Sequence, residues 1–455
     1  MRDHAPQGRG VAGRKLALES LETRRLLAID FDLLKDINPT ERPGSSFTIE
    51  IAEVGSTAFF VATTPQYGLE LWKSDGTDAG TVLVKDIRAG SPGAFTFTSP
   101  IVSSVSNWLT NVGGTLFFVA NDGGTGPELW KSDGTAAGTI RIKDIFPGLD
   151  GSNARYLTNV GGMLYFSAND GASGHELWKS DGTEAGTVRV KDVRAGANGS
   201  SIPSLTDVGG TVYFRANDGV SGEELWKSNG TEAGTVRVKD IRAGATGSAL
   251  FSLANVGGTL YFNANDGVSG AELWKSDGTE AETVRVKDIR AGSSGSSPRD
   301  LANVEGTLYF SASGGVVGSG LWKSDGTEAG TVLVKDVNVA FSSLLTNVEG
   351  TLYFQANDAA TGLELWKSDG TEAGTVRVKD IYAGASGSSL SSFTNVGGTL
   401  YFVANDGVTG SEVWKSDGTE AGTVLLKDIR PGASSPIPSL LTNVAGTLYS
   451  KPVTS

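Results

Sequence analysis

Eight copies of one tryptophan motif, evenly spaced, constrain this chain more than any other feature. Trp72, Trp130, Trp178, Trp226, Trp274, Trp322, Trp366 and Trp414 each sit in Leu/Val-Trp-Lys-Ser-Asp/Asn-Gly-Thr, at spacings of 58, 48, 48, 48, 48, 44 and 48 residues. A period near 48 is too long for a coiled coil and falls among propeller blades and solenoid units. The ninth tryptophan, Trp108, lies in the insertion that lengthens the first spacing.

One unit, Tyr156 to Val193, contains the whole plan. Leu157-Thr158-Asn159-Val160 is a short β-type run, Gly161-Gly162 a two-residue turn that tolerates positive φ, and Met163 to Ala168 the return strand of a tight hairpin. The polar loop Asn169 to Gly174 leads into Glu176-Leu177-Trp178-Lys179-Ser180, and Asp181 to Gly186 reverses the chain into Thr187 to Val193. Four strands with three short connections require antiparallel neighbours in a meander. The longer segment after Val193, Arg-Ala-Gly-Ala-Asn-Gly-Ser-Ser-Ile-Pro, is where one sheet passes to the next.

These units predict an all-β fold, a β-propeller of four-stranded antiparallel blades packed face to face. The Trp strand and the Val-Arg-Val-Lys strand agree, since they present apolar groups or long-stemmed Lys and Arg on both faces. A parallel β-helix competes less well, because its coils are about half this length. Eight complete blades are expected. The alternative is nine with a split closing blade, since Lys35-Asp36-Ile37 offers an outer strand and Leu441 to Tyr449 an inner hairpin, with only the Trp strand of that set missing.

Charge divides the chain into an N-terminal segment, 1–28, and a single repeat domain, 29–455. The segment carries six basic and three acidic side chains, the remainder 32 basic against 48 acidic. Lys15 to Ala28 mixes helix formers with charges and fits a short helix or a poorly ordered tail. Its apolar runs are too short for an ordinary signal peptide. No stretch is long and apolar enough for a membrane-spanning helix. A net charge of −13 argues against a nucleic-acid partner. The absence of cysteine excludes disulfides, thiol nucleophiles and Cys-ligated metals.

The string Glu176-Leu177-Trp178-Lys179-Ser180-Asp181-Gly182-Thr183-Glu184-Ala185-Gly186-Thr187 resembles the ELWxxDGTxxGT repeat, found in tandem in large bacterial exported proteins. Leu21-Glu22-Thr23-Arg24-Arg25-Leu26-Leu27 resembles the short LEPR-xLL segment of bacterial surface-associated proteins, with Thr23 where that pattern has Pro. Together the two resemblances imply export or display at the cell surface, and they carry no reaction.

The candidate site residues each have a structural reading beside the chemical one. The eight motif tryptophans are expected in the core rather than as sugar-stacking platforms. Asp75, Asp133, Asp181, Asp277, Asp325, Asp369 and Asp417, with Asn229 in the equivalent place, are expected to make Asx turns, since Asn forms the same bond without charge. Lys and Asp of Val-Lys-Asp-Ile alternate to opposite faces, and the Lys is expected in a ring of ion pairs with the Trp strand. The Asn-Asp-Gly loops offer weak calcium candidates, Asp122, Asp170, Asp218, Asp266, Asp358 and Asp406, with Glu176 a few residues on. They lack the spacing of a dedicated calcium loop, so no cofactor is expected.

No catalytic motif is present: no nucleophile elbow, zinc-binding helix or phosphate loop. His175 reads as a loop residue. The other departures from the repeat are Glu282 for the usual Gly and the divergent loop Ser313 to Gly320. Near-identical repeats favour a multivalent binding scaffold for an extracellular glycan or surface protein, because catalysis needs one differentiated site. The alternatives are an extracellular polysaccharide hydrolase or lyase, and a purely architectural envelope or matrix component.

Overall fold

The computed structural model describes residues 37, 50–90, 93–95, 108–314, 318–340, 344–358, 360–428 and 439–451. The segment 1–28 and Lys35-Asp36 lie outside the described residues. The fold is a β-propeller of eight four-stranded antiparallel blades in a ring. In blade 3 the strands are Arg155–Val160, Met163–Asn169, His175–Ser180 and Val188–Lys191, hydrogen-bonded in chain order. The first strands of successive blades pack on one another around the axis.

Local chemistry explains each reversal. Gly161 and Gly162 have φ of 58° and 85°, the two left-handed positions of a hairpin whose twist matches its strands. Asn159 Oδ1 accepts the Gly162 N–H at 3.0 Å, while its Nδ2 donates to Asn111 O of the preceding blade at 3.3 Å. In blades 6 and 7 the first turn glycine is Glu305 and Glu349, held at φ 49° and 48°.

The core lies between blades rather than within one. Val160, Tyr165, Leu177 and Val190 of blade 3 pack on Val212, Phe214, Ala216 and Trp226 of blade 4. Phe166 and Trp178 are directly opposed across their strands, with ring centroids 6.5 Å apart. All eight motif tryptophans are buried, and none of their indole N–H groups has a hydrogen-bond partner among the described residues.

The lysines correct one expectation. Lys179 Nζ donates to Gly230 O at 2.8 Å and Lys191 Nζ to Thr235 O at 3.0 Å, both carbonyls in the Asp-Gly-Thr turn of the next blade. They latch blades through backbone acceptors, not carboxylates. The turn carbonyls crowd this interface, so an ammonium with three donors finds acceptors there without a neighbouring acid. Repeated ion pairs do exist, on the arginine between the two strand valines: Arg189 Nη1 is 2.9 Å from Asp170 Oδ2 and 4.0 Å from Asp192 Oδ2.

A ninth place in the ring is held by the two-stranded hairpin Ser439–Val444 and Thr447–Lys451. Its first strand packs on the first strands of blades 8 and 1. Ala445 N donates to Glu53 Oε1 at 3.0 Å, and Asn443 Nδ2 to Asn395 O at 3.2 Å. Eight complete blades therefore close through a half-blade. Blade 7 has its own irregularity: Asn338–Val339 and Thr346–Val348 share the inner edge of Thr351–Asn357.

Candidate functional site

Antiparallel order sorts the loops onto two ends of the ring. One end carries the hairpin turns and the Asp-Gly-Thr turns. The other carries the Asn-Asp-Gly loops and the connections between blades.

On the first end the repeated aspartate is a turn residue. Asp181 Oδ1 accepts from Thr183 N at 2.8 Å and Thr183 Oγ1 at 2.7 Å. Asp75, Asp133, Asp277, Asp325, Asp369 and Asp417 make the same pair of bonds. Asn229 does so at 3.1 and 2.8 Å. The threonine bonds hold these carboxylates below their ordinary range. The carboxylate lies flat against Gly186, where a Cβ would collide with it. Glu282 occupies that position in blade 5, and its N–H reaches Thr279 Oγ1 at 3.2 Å against 2.9 Å for Gly186.

On the second end the calcium candidates are already engaged. Asp170 Oδ1 accepts the N–H groups of Ala172 and Ser173 at 2.9 and 2.7 Å, and Oδ2 faces Arg189. Asp122, Asp218, Asp266 and Asp358 repeat the arrangement with Arg141, Arg237, Arg285 and Arg377. Asp406 keeps the loop bonds, with Leu425 where the arginine would stand. In those five blades a guanidinium stands within 3.7 Å of the outer oxygen. Among the described residues no three His, Asp or Glu side chains converge.

The residues that sequence reasoning undervalued are the glutamates two positions before seven of the eight motif tryptophans. Glu176 is fully buried, and it accepts from Val193 N at 3.0 Å, Arg194 N at 3.3 Å and Ser200 Oγ at 2.7 Å. It fastens the connection leaving its blade. Glu70, Glu128, Glu224, Glu272 and Glu364 hold the same backbone positions. Burial pushes Glu70 and Glu176 up to about 7 against the pull of the N–H donors. The available signal was an acid recurring two positions before the tryptophan in seven of the eight units.

His175 is half-buried beside Ser167, with Nδ1 3.5 Å from Oγ, and burial lowers its pKa to about 4. Ser167 is 2% exposed. Trp108 N donates to Glu50 Oε2 at 2.8 Å, and the ring packs on the core between blades 2 and 3. Glu50 is raised to about 7 by burial. Part of the divergent blade 6 loop lies outside the described residues.

What the second end exposes is apolar and repeated. Val220, Val268 and Val408 occupy the same loop position and are 75–77% exposed, and Leu149 on a connection is 74% exposed. Arg88, Arg194 and Arg242 lie across the Asn-Asp-Gly glycine of the following blade.

No protein-family model matches this chain, and no curated protein matches it. Solved structures similar to it include a puromycin hydrolase S511A mutant complexed with PGG, at 14% identity and TM-score 0.40, covering 80% of this chain and 59% of that one. A puromycin-hydrolyzing peptidase of Mycobacterium tuberculosis is 12% identical with TM-score 0.44, covering 89% and 57%. The computationally designed Ika8 protein is 12% identical with TM-score 0.41, covering 92% and 98%. This chain thus spans under two thirds of either hydrolase, and at these identities none of the three bears on its activity.

Proposed function

We propose that the propeller is a non-catalytic, multivalent binding scaffold, exported or displayed at the cell surface, that holds an extracellular glycan or surface protein on its Asn-Asp-Gly loop end. The observation that carries this reading is the repeated apolar tip: Val220, Val268 and Val408 stand exposed at equivalent positions on loops stiffened by Asx bonds. Fixed tips lose little entropy on binding, and several weak contacts on one ring gain affinity through effective concentration. The turn aspartates, the loop aspartates and the buried glutamates support the same reading, because they accept hydrogen bonds from their own blade, as Asp181, Asp170 and Glu176 do in blade 3. The resemblance of Leu21 to Leu27 to a surface-protein segment supports the location.

The test is retention of the chain on a panel of extracellular polysaccharides, with release of new sugar ends scored in the same tubes. Retention without new ends is expected. Val220→Asp, Val268→Asp and Val408→Asp should weaken it stepwise as they are combined. New sugar ends, or complete loss on changing one blade, would overturn the scaffold reading in favour of a single enzymatic site.

A further inference from the structure

The ninth place in the ring presents an open strand edge. Its hairpin packs as the inner half of a blade does, with the Tyr449 hydroxyl lying against Gly76 of blade 1 as the Tyr165 hydroxyl lies against Gly230. In blade 3 the second strand is paired on both sides, and its outer partner is the Trp strand, with Tyr165 opposite Lys179, Phe166 opposite Trp178 and Ser167 opposite Leu177. Among the described residues Thr447–Lys451 pairs only with Ser439–Val444. Its outer edge is a row of main-chain donors and acceptors, a template for a further strand.

Two side chains mark the gap beside this edge. Phe60 of blade 1 is half-buried, while the seven equivalent phenylalanines, from Phe118 to Phe402, are 0% exposed. One of them, Phe166, shares its core cluster with Leu129 from the Trp strand of the preceding blade. Leu426 of blade 8 is also half-buried, while its equivalents from Val84 to Val378 are 5–7% exposed. One of those, Ile142, shares its cluster with Trp178 of the following blade. Phe60 and Leu426 are thus the two positions that the leucine and the tryptophan of one further strand would cover. Trp72, whose equivalent Trp226 packs with Val190 of the preceding outermost strand, is 8% exposed, so the opening is confined to the place of the third strand.

The ring itself shows what fits there, since it holds eight Trp strands seated on eight such edges. In four of them the lysine after the tryptophan, Lys73, Lys131, Lys179 and Lys323, donates to the turn-glycine carbonyl of the next blade at 2.8–2.9 Å. Gly76 O is that carbonyl on blade 1. A second copy has its Trp strands committed to its own blades. Nor can two copies join edge to edge, because blades 8 and 1 extend two strands, about 10 Å, beyond Thr447–Lys451. An extended segment can enter where a folded edge cannot.

We propose that the ninth place accepts an extended strand from a partner protein, reading acid-Leu-Trp-Lys-Ser and antiparallel to Thr447–Lys451, with its leucine on Phe60, its tryptophan on Leu426 and its lysine on Gly76 O. The site is separate from the loop tips, so either can fail while the other stands.

Fluorescence anisotropy on the full chain tests it, with a fluorescein-labelled peptide reading Gly-Glu-Leu-Trp-Lys-Ser-Asp-Gly-Thr. Saturable binding is expected, and none by a scrambled peptide. N-methylation of one alternate set of peptide amides should abolish binding, and of the other set should leave it, because only one set faces the acceptor edge. Replacing the peptide tryptophan with alanine, or Leu426→Ser in the protein, should weaken binding roughly tenfold. Ser450→Phe installs the phenylalanine of the complete blades opposite the guest tryptophan and should tighten binding several-fold. The loop-end Val220→Asp should leave it unchanged. The proposal is overturned if the full chain does not bind the peptide, if both methylated sets behave alike, or if Leu426→Ser has no effect. It is overturned in favour of the chain's own N-terminal segment if the peptide binds only after Leu34→Pro, and in favour of a second copy if light scattering shows a dimer that takes the peptide only on dissociating.

Discussion

Blades 3 and 6 share four strands and a Phe–Trp centre, yet they secure their outer strands by different chemistry. Blade 3 uses polar groups: Glu176 on the outgoing connection, and Arg189 between Asp170 and Asp192. Blade 6 has Gly320, Leu333 and Ser313 in the places of Glu176, Arg189 and Asn169, with no aspartate in the described part of its loop. Leu333 Cδ1 lies where a side chain on Gly320 would begin. The outgoing connection is also shorter, and Val337 and Val339 join the next core directly. The exchange is coordinated. A buried carboxylate without its donors is costly, so the glutamate and the connection it holds disappear together. Blade 1 separates the two devices, keeping Glu70 while Leu83 replaces the arginine and the loop has no aspartate. These acids therefore read as parts of the framework.

The sharpest way to break the comparison is to remove the buried carboxylate from blade 3. Glu176→Ala strands the N–H groups of Val193 and Arg194 and the Ser200 hydroxyl, and should cost about 3 kcal/mol. Hydrogen exchange at the Val193 and Arg194 amides should accelerate in step with the fall in stability. Gly320→Glu should also destabilise, because Leu333 fills the space; an unchanged melting temperature there would dissolve the distinction between the blades.

Next comes pH. Glu70 and Glu176 have a folded pKa near 7 against an ordinary 4.5, so the folded chain retains protons that the unfolded chain has released. Their contribution is full below about 4.5 and is lost as pH rises through about 7. The turn aspartates, held below 3.8, work in the opposite sense and lose their contribution as pH falls beneath that value. The melting temperature should therefore peak between these limits, near pH 5, and decline toward pH 8. Glu176→Gln should flatten the decline, and a melting temperature rising from pH 5 to 8 would contradict the burial of these groups.

The smallest effect concerns the half-exposed ion pair. Arg189→Leu should cost about 1 kcal/mol or less. Arg189→Leu with Asp170→Ser, which approaches blade 6, should cost less than the sum of the two single changes when melted side by side. Strict additivity would mean that the pair is not coupled.

The spacing of the tryptophans, the Gly161-Gly162 turns and the Asp-Gly-Thr reversals made the blade legible in the sequence, because strand alternation and turn chemistry are local. The count of eight complete blades was legible for the same reason. Lys179 and Lys191 were not, since their acceptors are backbone carbonyls 51 and 44 residues away, and carbonyls leave no mark in composition. The calcium candidates were ambiguous in the sequence for a related reason. An Asp-Gly loop looks the same whether its oxygens await a cation or already face an arginine 19 residues on, as Asp170 faces Arg189.

The sequence by itself determined the four-stranded unit, its repetition and the turns that join it, each fixed by neighbours within a few residues. Only the tertiary structure decided that a half-blade fills the ninth place and that seven motif glutamates are buried. Each of these depends on which groups of one blade meet the next, and that meeting is set by ring closure across tens to hundreds of residues.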